Sequence, residues 1–134
     1  MLLSWSDSYL LGIPAIDAEH KTLLTLINRF LSQAQDGAAG DVLQQLLQDL
    51  IRATREHFEK EELALDRCHF PLLAAHSDEH RRLIERLSYF LGTLRDGLVA
   101  GEKAAELNGF LHRWLFDHIE NEDRAYRPFL RTLT

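Results

Sequence analysis

Apolar positions recur every three to four residues in four segments of the chain, and glycine or proline interrupts the pattern between them. This period is typical of amphipathic helices packed on a core, and no strand-like alternation competes with it. The four stripes are His20, Leu24, Ile27, Leu31 and Ala34; Leu43, Leu47, Leu50, Thr54, His57, Glu61, Leu65 and Cys68; Leu73, His76, His80, Leu83, Leu87, Phe90 and Leu94; and Ala104, Leu107, Leu111, Trp114 and His118. Short connections predict an all-α fold, an antiparallel up-down-up-down four-helix bundle.

Turn and capping residues predict where the bundle begins. Asp17 has the residue type of a helix N-cap and precedes the first stripe, so we expect the first helix to start there. Residues 1–16 then form an extended N-terminal arm lying against the bundle, and residues 17–131 form the bundle itself. The glycines between 97 and 101 mark the last connection. The length of 134 residues suits one domain, 1–134.

Charge and cysteine content narrow the classes of partner. The formal net charge is −6, and no long Lys/Arg cluster occurs, which argues against a nucleic-acid partner. No apolar run approaches the roughly 20 residues of a membrane span. Cys68 is the only cysteine, which excludes a disulfide within the chain. Since the N-terminal residues do not resemble a signal peptide, we expect a cytoplasmic location.

Seven residues with metal-binding side chains occupy positions along the four predicted helices. They are His20, His57, Glu61, His76, His80, His118 and Asp123. A four-residue step puts the members of the second and third pairs on one helix face, one turn apart. The set lies near the start of the first and third helices and near the end of the second and fourth. In an antiparallel bundle these four places are the same end.

The cost of burying this set favours a metal site. A single core histidine is more often a neutral ring bonded to a backbone carbonyl, but two of the seven residues here are carboxylates. A buried carboxylate without a partner costs several kcal/mol. Divalent metal ions satisfy carboxylate charge and imidazole lone pairs together, so the sequence predicts a centre with nitrogen and oxygen ligands.

The pair in the fourth helix has an irregular spacing. Asp123 follows His118 by five positions, which turns their side chains roughly 140° apart in a regular helix. A π-bulge between them would bring both to one site, and such bulges favour functional positions. Alternatively the helix loosens there and presents Asp123 from a distorted turn.

Taken together, these motifs resemble the bacterial hemerythrins over essentially the whole chain. The resemblance rests on Trp5, Gly12, Ile16-Asp17-x-x-His20, His57-Phe-x-x-Glu61-Glu62, Phe70-Pro71 and Trp114-Leu-x-x-His118-Ile119. It implies two iron ions joined by an oxo or hydroxo bridge, with O₂ as their ligand. Residues matching His76, His80 and His118 hold one iron in that family, those matching His20 and His57 hold the other, and those matching Glu61 and Asp123 bridge both. Glu19 is a departure, since relatives often have glutamine there.

The expected function is reversible O₂ binding, for oxygen carriage, storage, delivery or sensing, rather than enzymatic turnover. The Glu-x-x-His motif of ferritin-like di-iron oxidases does not occur in the sequence. The alternatives are a di-iron enzyme acting on peroxide or nitric oxide, and an iron-binding or sensor module that works with a separate partner. Small anions such as azide are further expected ligands, and an oxygen-using protein is a possible partner.

Apolar neighbours of the ligands are expected either to wall a dry pocket or simply to fill the core. They are Ile16, Phe58, Trp114, Leu115 and Ile119. His112 lies two residues before Trp114, so a helix turns it about 200° away toward solvent. His69 and Cys68 lie at the second interhelix turn and are expected to be structural. No partner role is assigned to Glu62.

Overall fold

Four long helices make up most of the described molecule. The structure is a computed structural model that describes residues 4–95, 102–118 and 124–130. The helices are α1 (Pro14–Gln35), α2 (Gly40–Arg67), α3 (Leu73–Arg95), α4 (Glu102–Asp117) and α5 (Arg124–Leu130), and a single 3₁₀ turn (Asp7–Tyr9) precedes them. No strand occurs in these ranges. The all-α four-helix bundle is therefore confirmed, and the predicted connection at 97–101 lies outside the described residues.

The first helix begins earlier than the sequence suggested. Pro14, not Asp17, opens α1, because its fixed φ suits the first helical position. Asp17 lies inside the first turns and is buried, and its carboxylate accepts the backbone N–H groups of Leu11 at 2.8 Å and Gly12 at 3.2 Å. The assignment of residues 1–16 to an extended arm was therefore wrong at its end, and the arm contains a 3₁₀ turn.

Two left-handed residues end the first two helices. After α1, Gly37 has φ +76°, its N–H donates to Ala34, and the N–H of Ala38 donates to Gln33. After α2, His69 has φ +57°, and Phe70 donates to the carbonyl of Leu65. Both patterns are Schellman caps, in which glycine is favoured at the left-handed residue. The second cap directs the chain into α3.

The core runs the length of the bundle between α1, α2, α3 and α4. At one end the buried side chains that the structure describes are apolar: Ile27, Phe30, Leu31, Leu43, Leu47, Leu50, Leu87, Phe90 and Leu94. At the other end, where α1 and α3 begin and α2 ends, polar side chains enter the core. No helix in the described ranges is long and apolar enough to cross a membrane.

Candidate metal centre

The polar end of the core contains two overlapping groups of potential metal ligands. One consists of Glu61, His76, His80 and His118, and the other of His20, His57 and Glu61. Within each group, one ligand atom from every residue lies within 4.8 Å of the others. Six of the seven residues singled out in the sequence are thus brought together. The seventh, Asp123, lies outside the described residues.

All six side chains are removed from solvent, with exposed fractions between 1% for Glu61 and 6% for His118. They come from the start of α1, the end of α2, the start of α3 and the end of α4, in agreement with the antiparallel arrangement. Burial of a carboxylate among five imidazoles is costly unless each polar atom has a partner.

Glu61 lies between the two histidine groups and belongs to both. Its Oε1 atom is 2.6 Å from Nε2 of His76 and 3.0 Å from Nε2 of His80. Its Oε2 atom is 3.1 Å from Nε2 of His57, and it accepts a hydrogen bond of 3.1 Å from the hydroxyl of Tyr126. One carboxylate oxygen therefore faces each group.

The pKa of the Glu61 carboxyl reflects opposing effects. Burial by itself raises this pKa, because it disfavours the charged form. Hydrogen bonds from His57, His76 and His80 outweigh burial and hold the pKa of Glu61 well below its ordinary value of 4.5. The centre is therefore built around an ionised carboxylate.

Two histidines are oriented by carboxylates on their outer side. Nδ1 of His57 lies 3.0 Å from Oε1 of Glu19, and Nδ1 of His80 lies 2.8 Å from Oε2 of Glu62. A carboxylate only accepts, so Nδ1 of each ring would donate to its outer carboxylate whenever Nε2 uses its lone pair to bind a metal. The hydrogen bond with His57, more than any other interaction, holds the pKa of Glu19 below 4.5.

Aromatic rings pack directly on the histidines. Phe58 stacks on His80 with 3.6 Å between ring centroids and 2° between planes, and it lies 5.6 Å from the ring of His118. Ile16 and Trp114 are also buried, whereas the side chain of Leu115 and the whole of Ile119 lie outside the described structure. The stacked ring of Phe58 restricts the orientation of the His80 imidazole.

Two residues of the centre were missed in the sequence. Glu62, to which no role was assigned, hydrogen-bonds His80 and also accepts from Ser77 at 2.5 Å. Its position beside Glu61 was the available signal. Tyr126 is fully buried next to His76, but nothing in its local sequence distinguishes it from a core tyrosine.

Three further residues were expected to lie outside the centre. His112 and His69 are exposed and Cys68 is half-buried, as structural or solvated residues would be.

The backbone changes at His118. α4 ends as a regular helix at Asp117, and residue 118 has π-helical hydrogen bonding. This is the kind of departure that the five-residue spacing predicts. Whether the widening brings Asp123 to the centre stays a prediction, since residues 119–123 are outside the described ranges.

Comparison with known proteins decides the family. Residues 11–130 match the hemerythrin HHE cation-binding domain. A bacteriohemerythrin of Pseudomonas aeruginosa is 34% identical over 129 residues, covering 96% of this chain and 82% of the relative. The chain belongs to the hemerythrin family.

More distant hemerythrins agree with this assignment. A myohemerythrin of Riftia pachyptila is 28% identical over 123 residues, which are 92% of this chain and 89% of that one. The crystal structure of a hemerythrin point mutant superposes with a TM-score of 0.85, covers 96% of this chain and 97% of its own, and is 24% identical. At that identity the superposition supports the hemerythrin fold.

Proposed function

We propose that this protein binds O₂ reversibly at a non-haem di-iron centre. In this proposal His76, His80 and His118 hold one iron, His20 and His57 hold the other, and Glu61 and Asp123 bridge the two. The observation that carries it is the position of Glu61, whose two carboxylate oxygens each face a different group of buried histidines. Five imidazoles with few carboxylates suit divalent iron, which accepts nitrogen and oxygen ligands.

The residues around the centre then have separable tasks. When bound, the iron pair supplies a reducing site with an open position for O₂. Glu19 and Glu62 orient His57 and His80 by accepting their Nδ1 protons. Tyr126 holds Oε2 of Glu61 in place. Phe58 and Trp114 keep the surroundings dry, which slows loss of the bound ligand to water.

The physiological role proposed is oxygen carriage, storage, delivery or sensing in the cytoplasm, without enzymatic turnover. A nitrogen-rich donor set puts less anionic charge on the irons than the carboxylate-rich sets of di-iron oxidases. Small anions such as azide are proposed to occupy the open position in the oxidised protein. An oxygen-using protein is the proposed recipient if the role is delivery.

Iron content and an optical titration test the proposal. Protein purified with iron supplied should contain about two irons per chain. The reduced protein should gain a visible absorption band in air and lose it on degassing. A ratio of one iron per chain would contradict a dinuclear centre. Irreversible oxidation on first exposure to air, with turnover of added peroxide or nitric oxide, would instead favour the enzymatic alternative.

A matched pair of variants separates ligand loss from general damage. His57→Ala removes a buried imidazole of the centre and should abolish binding of at least one iron. It should also lower thermal stability, because iron bound only to the folded state stabilises it. His112→Ala removes an exposed imidazole and should change neither iron content nor stability.

A further inference from the structure

A chain of contacts links solvent to the histidine pair of α1 and α2. Nζ of Lys60 lies 3.6 Å from Oε2 of Glu19, Oε1 of Glu19 lies 3.0 Å from Nδ1 of His57, and Nε2 of His57 lies 3.1 Å from Oε2 of Glu61. Side-chain exposure falls along it from 72% for Lys60 through 27% for Glu19 to 3% for His57. This series of contacts joins α1 to α2 and ends at Glu61 inside the centre.

Glu19 and Glu62 occupy different surroundings although both accept a histidine proton. Glu62 is also held by the hydroxyl of Ser77, a neutral donor, and serves the group formed with α3. Glu19 has an exposed cation, Lys60, as its second partner and serves the group formed by His20 and His57. An ion pair with an exposed lysine adds little stability. The positive charge of Lys60 still changes how much electron density Glu19 offers to the imidazole of His57.

We propose that Glu19, opposed by Lys60, sets the electron donation of His57 and thereby the reduction potential of the iron held by His20 and His57. This rests on the di-iron centre proposed above. An imidazole that donates Nδ1–H to an anion is a more basic ligand at Nε2. A more basic ligand favours ferric over ferrous iron and lowers the potential. Lys60 draws negative charge away from Glu19, which makes His57 a less basic ligand and raises the reduction potential.

Three single-charge variants of the iron-loaded protein test this. Glu19→Gln keeps a hydrogen-bond acceptor but removes its charge, so the reduction potential should become more positive. A tenfold change in the preference for ferric over ferrous iron corresponds to about 59 mV for one electron. Lys60→Gln should shift the potential the other way. Glu59→Gln is the control, since it removes one negative charge from an exposed residue beside Lys60 that has no hydrogen bond to a histidine in the described structure.

Spectroelectrochemistry gives the potentials, and Mössbauer spectra of the reduced protein resolve the two irons. Glu19→Gln should alter the signal of one iron and leave the other, with two irons per chain and reversible oxygenation retained. Equal potentials for Glu19→Gln and Glu59→Gln would overturn the proposal. If Glu19→Gln fails to hold iron, Lys60→Gln decides, and an unshifted potential there also overturns it. Failure of wild-type protein to bind two irons would instead contradict the proposed function.

Discussion

At the scale of single residues, Glu61 is the group whose burial has to be explained, because a charged carboxylate is costly to remove from water. It is an ionised carboxylate in a fully buried position, surrounded by three imidazoles and a phenol. Hydrogen bonds from these partners replace the hydration of the carboxylate and hold its pKa low despite burial. Iron binding would add positive charge beside Glu61, so the cluster should contribute more to stability with metal than without it.

Acid should destabilise the metal-free protein through Glu61. Its pKa is lowered on folding, so its contribution to stability is present above the unfolded value near 4.5 and is lost as the pH falls through the folded pKa. We expect the unfolding free energies of wild type and Glu61→Gln to converge as the pH falls from about 6 to 3, measured by urea denaturation. A constant difference between them across that range would show that Glu61 is not the responsible group.

The site residues predicted from the sequence are recognisable from helical periodicity, whereas the role of Tyr126 depends on a long-range contact. His57, Glu61, His76 and His80 stand on apolar stripes, so helical periodicity alone predicts that they point inward and face one another. Tyr126 also points inward, but its contact with Glu61 joins residues 65 positions apart along the chain. A tyrosine in a core is ordinary, and its hydroxyl partner depends on tertiary packing that periodicity does not encode.

At the scale of helices, periodicity located the four long helices but neither their ends nor the short helix α5. Asp17 has the usual residue type of an N-cap, yet Pro14 starts α1 and Asp17 instead receives two N–H groups from the preceding turn. Gly12 supports this turn with φ +81°, a conformation that favours glycine. The ends of helices depend on such local hydrogen bonds, for which several residues near a boundary compete.

Asp17→Ala should therefore destabilise the protein by roughly 1–3 kcal/mol, since it leaves the buried N–H of Leu11 without its acceptor. Asp41→Ala is the matched control. Asp41 is exposed, and among the described residues its carboxylate accepts only from the adjacent Val42. Its replacement should change the unfolding free energy by no more than about 0.5 kcal/mol. Equal losses in chemical denaturation would refute the anchoring role of Asp17.

The fourth helix raises the question of which acidic residue after His118, Asp123 or Glu122, is the second carboxylate ligand. Residue 118 is π-helical, and a helix widened by one residue there would favour Asp123 over Glu122 as the second bridging carboxylate. Asp123→Ala should lower the iron content below two per chain, and Glu122→Ala should leave it unchanged. Metal analysis after identical loading decides between them. Iron loss in Glu122→Ala alone would mean that the helix continues regularly and that Glu122, one turn from His118, is the ligand.

At the scale of the whole molecule, the bundle divides into an apolar end and a ligand end. The apolar end has buried leucine, isoleucine and phenylalanine side chains from α1, α2 and α3, and none of these side chains is a potential metal ligand. The ligand end has the six buried polar residues of the two groups, and Phe58 packs on His80 and near His118. Stability without iron should therefore be uneven along each helix, although the four helices form one bundle.

Hydrogen exchange of metal-free and iron-loaded protein measures this directly. Removing iron should speed amide exchange in the peptides covering 54–66 of α2 and 74–82 of α3, where histidines and Glu61 face one another. The peptides covering 27–34 and 43–50 should keep their protection, because apolar packing alone stabilises that end. His112→Ala with iron should match the iron-loaded wild type in every peptide. Uniform loss of protection along all helices would mean that metal and core stabilise the bundle as one cooperative unit, and that the apolar end does not fold by itself.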